Sequence, residues 1–422
     1  MRVLLSAYAC GPGTGSEPGV GWHWAIEVAR LGYSTTVVTT SENRIKIEEE
    51  IKNIEYKNIK FIFYEPHRIF HWANWYKIWP FALGHRFYWY VWEHIYHFAW
   101  QYGAYRKINI IHKRTPFDVV HHITYGAVRR STFMGNITNA RFVFGPLGGG
   151  ERSPRSIRTI LSRTAKVIEF VRDMSIVLSR VNPFLRSSFK KAQVIYVKTA
   201  ESESVVPKKY RSKVRVRLEI GGNTLTTDNS DKEEVPREKG GFRVLFVGRF
   251  LYWKGMGLGI RAFSKLLAHY PDSRLIMIGE GPEEKAWREL VSTLCIEDSV
   301  EWIPWVSRSD LKQYYLNSTI FLFPSLHDSS GNVVLESISN GLPVVCLDLG
   351  GPAEIVNETC AGICATNDMD ANGVIDSLYK QMKELSDNRD RLEQMGTAAR
   401  IRSEEYHWPH VVNRLYDEIT VL

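Results

Sequence analysis

Two carboxylates with seven residues between them, Asp328 and Glu336, bracket a turn in the run Phe323 to Gly351, FPSLHDSSGNVVLESISNGLPVVCLDLGG. The run reads as strand, turn, helix, strand. If Gly331 and Asn332 open the helix, Asp328 lies in the loop before it and Glu336 in its second turn. Both acids can then face a ligand held at the helix N-terminus, where unsatisfied N–H groups and a partial positive charge suit a diphosphate. Carboxylates accept the paired hydroxyls of a ribose or a hexose. The spacing therefore asks for a sugar nucleotide, with phosphate on the amides of Gly331, Asn332 and Val333 and hydroxyls on the acids.

A second run, Val244 to Gly255 (VLFVGRFLYWKG), is an apolar strand that ends in Gly248 and Arg249, with Lys254 five residues on. Two cations on the loop leaving a parallel strand can clamp a departing diphosphate, Arg249 by its planar fork and Lys254 as a point charge. On these two runs the chain resembles the retaining family 4 glycosyltransferases, whose fold is GT-B. That family's pattern is Glu, seven residues, Glu; here the first acid is Asp328, one methylene shorter, and the difference bears on sugar identity. The resemblance implies a nucleoside-diphosphate sugar as donor, retention through front-face attack, and neither metal nor other cofactor. It gives Asp328 the donor-sugar hydroxyls and Glu336 the ribose.

Other segments gain a role from the same resemblance. The glycine-rich turn Cys10 to Ala25 lacks the third glycine of a dinucleotide fingerprint, since Glu17 and Pro18 follow Gly15. In the family the matching loop lets backbone approach the transferred sugar and the β-phosphate, and Gly19 is the aligned position. The strand end DVVHHITY offers His121 and His122, which point to opposite faces, so that one can serve; His122 is favoured, being nearer the carboxyl end. The turn FGPLGGG, with Gly148, Gly149 and Gly150, reads as a place where acceptor or donor meets bare backbone. Gly279 and Gly281 in IGEGP are expected to shape the donor pocket, and Val306 to hold the base by main-chain groups. Asp368-Met369-Asp370 imitates a metal-binding DxD, but it sits in a polar loop and reads as a solvated turn.

What must position these groups is an α/β architecture. A chain of 422 residues exceeds what one core usually supports. Short apolar runs alternate with helical stretches at Val3–Ala7, Thr35–Thr39, Ile59–Tyr64, Val119–Ile123, Arg141–Phe144 and Val194–Lys198. After the polar run Thr224–Gly241 the alternation restarts at Arg243–Val247, Ser273–Ile278, Val300–Ile303, Ile320–Pro324 and Pro343–Leu347. Two doubly wound, Rossmann-like domains facing across a cleft are expected: residues 1–215 on the acceptor side, and residues 216–407 holding the donor. The resemblance adds a last helix, residues 408–422, that packs back on the first domain. The N-terminal apolar run reads as a first strand and not an export signal. Five scattered cysteines suggest neither a disulfide framework nor a zinc site and fit a reducing cytoplasm.

Charge and aromatic content point to an acceptor. Residues 1–215 hold 33 Lys and Arg against 15 Asp and Glu, a net of +18; the remainder holds 21 against 31, a net of −10. So basic a half seeks a polyanion. Nineteen aromatics crowd Phe61 to Tyr105, Trp72, Trp75, Trp79, Trp89, Trp92 and Trp100 among them, mixed with His67, Arg68, His71, Lys77, His85 and Arg86. A second basic stretch, Arg152 to Lys191, spaces Ile160, Ile168, Val171, Ile176 and Leu185 at roughly helical intervals. Amphipathic aromatics with cations suit a membrane interface, and no nucleic-acid recognition motif accompanies them. The expected enzyme is a hexosyltransferase of surface polysaccharide or glycolipid biosynthesis, peripheral on the anionic inner leaflet, acting on a glycan or lipid-linked acceptor. A GT-B-fold epimerase or phosphorylase, a nicotinamide-dependent oxidoreductase and a silent nucleotide-sugar binder are the alternatives. The oxidoreductase is disfavoured by the missing glycine and by Arg249, Lys254, Asp328 and Glu336.

Overall fold

A computed structural model describes residues 1–55, 57–66, 84–222 and 241–421, with the side chains of residues 84–92 and 308 outside that description. Trp72, Trp75 and Trp79 with their neighbouring cations, and most of the run Thr224–Gly241, lie outside the described residues; of Trp89 and Trp92 the side chains do.

The first part of the chain runs β1 (Arg2–Ser6), α1 (Ser16–Arg30), β2 (Ser34–Thr39), α2 (Arg44–Lys52), β3 (Ile59–Phe63), α3 (Gly84–Arg114), β4 (Val119–His122), β5 (Arg141–Leu147), α4 (Arg163–Ser179), α5 (Pro183–Lys191), β6 (Val194–Val197), α6 (Ala200–Val205) and β7 (Val214–Val216). The second continues with β8 (Arg243–Val247), α7 (Met256–Leu267), β9 (Arg274–Ile278), α8 (Glu284–Thr293), β10 (Val300–Ile303), α9 (Arg308–Leu316), β11 (Ile320–Phe323), α10 (Asn332–Ser339), β12 (Val344–Leu347), α11 (Gly350–Ile355) and β13 (Ala361–Cys364). Then come α12 (Ala371–Asp387), α13 (Arg389–Glu404) and α14 (Trp408–Val421).

Two parallel sheets result. The first has the order β3-β2-β1-β4-β5-β6-β7, the second β10-β9-β8-β11-β12-β13. Their strands read as continuous apolar runs because helices cover both faces: β11, IFLF, is buried at every position, and so is β12, VVCL. Strand order reverses between β1 and β4 in one sheet and between β8 and β11 in the other, and at such a switch point the loops leaving the two central strands part to form a crevice. In the second sheet these are the loops carrying Arg249 and Lys254 on one side and Asp328 to Gly331 on the other.

The expected strands are present, and two further ones close the sheets. β7 and β13 are three and four residues long, and AGIC offers no alternation to betray it. The last helix, α14, packs on α1: Trp408 stacks on His23 with ring centroids 4.7 Å apart, and the Tyr416 hydroxyl meets His121 Nδ1 at 3.2 Å.

In the stretch Arg152 to Lys191, Ile176 and Leu185 are buried as core, but Ile160, Ile168 and Val171 are exposed. α4 buries a narrow side (Ala165, Glu169, Ile176, Ser179) and leaves Val167, Ile168, Phe170, Val171, Met174, Val177 and Leu178 open to solvent. Exposed Arg163, Lys166, Arg180, Arg186, Lys190 and Lys191 surround that apolar face along α4 and α5.

Candidate functional site

α10 begins as the sequence reading requires. Gly331 is its N-cap, with φ +78°, a conformation that glycine adopts without strain, and Asn332 is its first residue. No side chain caps the helix, so the first amides point out of its N-terminus toward the crevice. Asp328 precedes it and holds the loop: its Oδ1 accepts from the backbone N–H of Ser330 and of Gly331, each at 3.3 Å, while its carbonyl accepts from Gly351 N at 2.7 Å. Its other oxygen is ion-paired with Lys254 Nζ. Burial alone would raise the Asp328 carboxyl; the Lys254 charge and hydrogen bond and the two amides outweigh it and hold the group below its ordinary value.

That arrangement differs from the sequence expectation in two respects. Asp328 and Lys254 stand as one neutral pair, and Gly331 N is engaged by Asp328 and not left open for phosphate. A ligand meeting this site therefore finds a cation whose charge is shared with a carboxylate beside it. Arg249, by contrast, is exposed and makes no side-chain hydrogen bond among the described residues. Glu336 lies one to two turns into α10 and accepts from the buried Tyr315 hydroxyl at 3.1 Å.

The glycines turn out to make contacts within the chain. A Cβ on Gly279 would lie 2.0 Å from the Gly248 carbonyl, and one on Gly281 2.4 Å from that of Phe250, so these residues let the turn after β9 rest on the loop that carries Arg249. At Gly19 the close neighbour on the Cβ side is Thr14, whose carbonyl oxygen would be 2.2 Å from a Cβ. Gly148 and Gly150 face Ser329 and Ser202, at 2.9 Å from Cβ to Cβ and 2.5 Å from Cβ to Cα. What meets the bare backbone of Gly148 is thus the Asp328–Gly331 loop of the second sheet. Val306 is half-buried and packs on the second sheet's core, while its neighbour Trp305 is 77% exposed.

Neither histidine at the end of β4 is open. His122 is 2% exposed, with Nδ1 3.2 Å from Ser6 Oγ; His121 is fully buried between Gly145 O, at 2.8 Å, and Tyr416. Burial pushes His122 down to about 3 and His121 to about 4, so both rings are neutral at physiological pH. His122 therefore has no proton to exchange near neutrality, and any part it has is that of a neutral hydrogen-bonding ring. Asp370, in the DMD triplet, is the N-cap of α12 and accepts from Gly373 N at 2.8 Å. Among the described residues no group of three or more metal-ligating side chains gathers anywhere.

Sequence reading missed the buried charges that join the sheets. Glu151, 1% exposed, accepts from Thr199 Oγ1 at 2.9 Å, Ser202 Oγ at 2.8 Å, Gly149 N at 2.9 Å and Ser329 Oγ at 2.7 Å. Burial would raise its carboxyl, and these donors hold it below the ordinary value instead. Lys198, at the end of β6, pairs with Glu219 at 2.6 Å and lies 3.6 Å from Glu17; Ser330 Oγ in turn donates to Glu219 at 2.6 Å. Burial acts against the Lys198 charge, but Glu219 and Glu17 more than offset it and raise its pKa. Ser329 and Ser330 are thus both gripped by the first sheet. The signal available in sequence was the charge next to a glycine turn, GGGE, and a lysine ending an apolar strand, VIYVK.

Comparison with known proteins agrees with this geometry. Residues 227–402 match the model of the family described as glycosyl transferases group 1. An uncharacterized glycosyltransferase of Haemophilus influenzae is 32% identical over 165 residues, 39% of this chain and 44% of that protein. The sulfoquinovosyl transferase SQD2 of Arabidopsis thaliana is 26% identical over 224 residues, 53% of this chain and 39% of that protein. The matches thus span less than half the length of these relatives. Among solved structures, Alr3699/HepE of Anabaena in complex with UDP superposes with a TM-score of 0.62 at 15% identity, covering 100% of both chains. The fold is GT-B, and the second half of the chain carries the group 1 glycosyl transferase pattern.

Proposed function

We propose that the protein is a retaining glycosyltransferase that moves a hexose from a nucleoside-diphosphate sugar to a hydroxyl of a glycan or lipid-linked acceptor in surface polysaccharide or glycolipid biosynthesis. The observation that carries this reading is the Lys254–Asp328 pair beside the uncapped N-terminus of α10, at the switch point of the second sheet, with Arg249 on the same loop as Lys254 and Glu336 on α10 itself. Support comes from the group 1 match over residues 227–402 and from a structural neighbour solved with UDP.

In this reading the diphosphate lies at the α10 amides, and Arg249 and Lys254 stabilise the negative charge that grows on it as the sugar–oxygen bond breaks. Asp328 accepts sugar hydroxyls while keeping Lys254 oriented, and Glu336 takes the ribose. The acceptor oxygen bonds to the anomeric carbon on the face from which the diphosphate departs and gives its proton to a leaving phosphate oxygen, which preserves the anomeric configuration, and neither metal nor protein nucleophile is needed. Ser329 and Ser330, held by Glu151 and Glu219, keep the sheets together over the donor and limit water. On the acceptor side, a cavity of about 400 Å³ lined by Tyr8, Thr40, Ser41, Glu42, Glu65 and Tyr96 offers carboxylates and hydroxyls suited to a sugar.

The protein is read as peripheral on the cytoplasmic membrane face. Covering the apolar side of α4 would release on the order of 10 kcal/mol before association costs, and the surrounding basic residues complement anionic headgroups. No described helix is long and apolar enough to cross a membrane.

The test is a thermal-shift and hydrolysis screen of UDP-, GDP- and ADP-sugars against wild type and Glu336→Ala. Saturable stabilisation by one donor, lost in the variant, supports the assignment; absence of any response sinks it. Liposome flotation without preference for anionic lipid would remove the membrane component alone.

A further inference from the structure

Glu169 lies on the inner side of α4 with its side chain fully buried. Its Oε1 accepts from the Tyr252 hydroxyl at 2.8 Å and pairs with His327 Nε2 at 2.8 Å, while Oε2 lies 3.3 Å from Arg158. Both partners at Oε1 belong to the second sheet's loops. Tyr252 stands two residues before Lys254 on the loop after β8, and His327 immediately before Asp328 on the loop after β11.

Those loops also meet each other. The Trp253 ring stacks on His327 with centroids 5.5 Å apart, and the Trp253 carbonyl accepts from Leu326 N at 2.7 Å and Ser325 Oγ at 3.1 Å. A second strut runs beside the first. Arg172, three residues on along α4, donates to the Glu151 carbonyl at 2.9 Å, and the Glu151 carboxylate receives Ser329. Had Glu169 served to seat α4 on its own sheet, Arg158 would have been a sufficient partner, since it already bridges to Asp173 at 2.7 Å. Its carboxylate reaches instead to the two loops on which the cation and the acid of the donor site are mounted.

We propose that Glu169 is a positioning residue of the donor site: from a helix of the first sheet it fixes the loops that carry Lys254 and Asp328 at the separation where these two groups meet a diphosphate. The identity of that ligand rests on the reading given under Proposed function. A carboxylate with two donors on one oxygen sets the distance between two loops without touching the ligand, so its loss should weaken diphosphate binding through Lys254.

The experiment titrates UDP and GDP into the full chain, as wild type, Glu169→Ala, Glu169→Gln, Lys254→Ala and the Glu169→Ala/Lys254→Ala double variant, with Tm recorded for each. Glu169→Ala is expected to weaken nucleotide binding about tenfold. Glu169→Gln, which keeps the shape and one acceptor oxygen, should recover most of it. The double variant should bind no more weakly than Lys254→Ala, because both act on one contact. Independent, multiplicative losses, or a lower Tm at unchanged affinity, would overturn the assignment. Should Glu169→Ala fail to fold, Tyr252→Phe removes one donor from the same oxygen and is expected to cost about threefold in affinity; no loss there overturns the proposal equally. Wild type that binds neither nucleotide overturns the donor reading, and this inference falls with it.

Discussion

Ser329, on the loop leaving β11, donates its hydroxyl to Glu151 Oε2 at 2.7 Å, so that a buried carboxylate of the first sheet directly holds the loop that opens α10 in the second. The same hydroxyl accepts from Gly149 N at 3.2 Å. The approach needs a residue without a Cβ at 148, where Ser329 Cβ would be 2.9 Å and Lys198 Cδ 2.8 Å away.

Gly148→Ala should therefore push the loop away from the first sheet. Wedged open, the cleft loses the Ser329–Glu151 bond, and nucleotide-sugar binding is expected to weaken roughly tenfold, the equivalent of one hydrogen bond to a charged group. Isothermal titration measures it, and Ser329→Ala, which removes the bond without steric pressure, should give a smaller loss in the same direction.

Removing one member of the Lys254–Asp328 pair strands the other. Lys254→Met leaves a half-buried carboxylate beside an apolar stem and should destabilise the fold by about 1 to 3 kcal/mol, seen as a lower denaturation midpoint. Adding Asp328→Asn should restore much of the stability while nucleotide binding stays lost. Separate recovery of the two properties would show that the pair's stabilising and binding roles are distinct; joint recovery of binding would refute the binding role.

Glu336 offers a discrimination test. As a ribose ligand it should matter for UDP or GDP and not for inorganic pyrophosphate. Glu336→Ala is expected to weaken the nucleotide between ten- and a hundredfold, roughly 1.4 to 3 kcal/mol, with pyrophosphate competition unchanged. Equal losses for both ligands would move Glu336 to the phosphates.

Acid stability should report Glu169. Burial raises its carboxyl, but the His327 hydrogen bond and charge together with the Tyr252 hydroxyl prevail and bring it down to about 2. A depressed carboxylate contributes stability that is complete above its unfolded value, near 4.5, and is lost as pH falls from there toward 2. The amount is on the order of 3 kcal/mol. Glu169→Gln should flatten this part of the stability–pH curve, followed by chemical denaturation between pH 2 and 5.

How far the sequence carried this reading depends on the range of the interactions involved. β8 and β11, the helix start at Gly331 and the two switch-point loops were legible because apolar runs and turn chemistry act over a few residues. Glu151, Lys198, Glu169 and Glu219 were not, since what makes them special is burial against partners more than 100 residues away: Glu151 meets Ser329, and Glu169 meets His327. The His121/His122 choice failed to resolve for the same reason. Alternation placed the two rings on opposite faces, but their burial is decided by α14 on one side and by the cluster around Ser6 and Phe144 on the other. In α4 the helical spacing of the apolar residues was legible, but spacing alone does not say which of them pack inward, as Ile176 does, and which face out, as Ile168 and Val171 do.

The uneven division of charge, +18 on residues 1–215 and −10 on the remainder, makes the molecule an electrical dipole whose positive end bears the open face of α4. Near a negatively charged surface such a body rotates before it touches, over a screening length of about 8 Å at physiological salt. Its basic half arrives first and its acidic half trails on the water side, so orientation is selected during approach and not by trial after landing. Exchanging charges between the halves, at constant net charge, would reverse which half such a surface attracts.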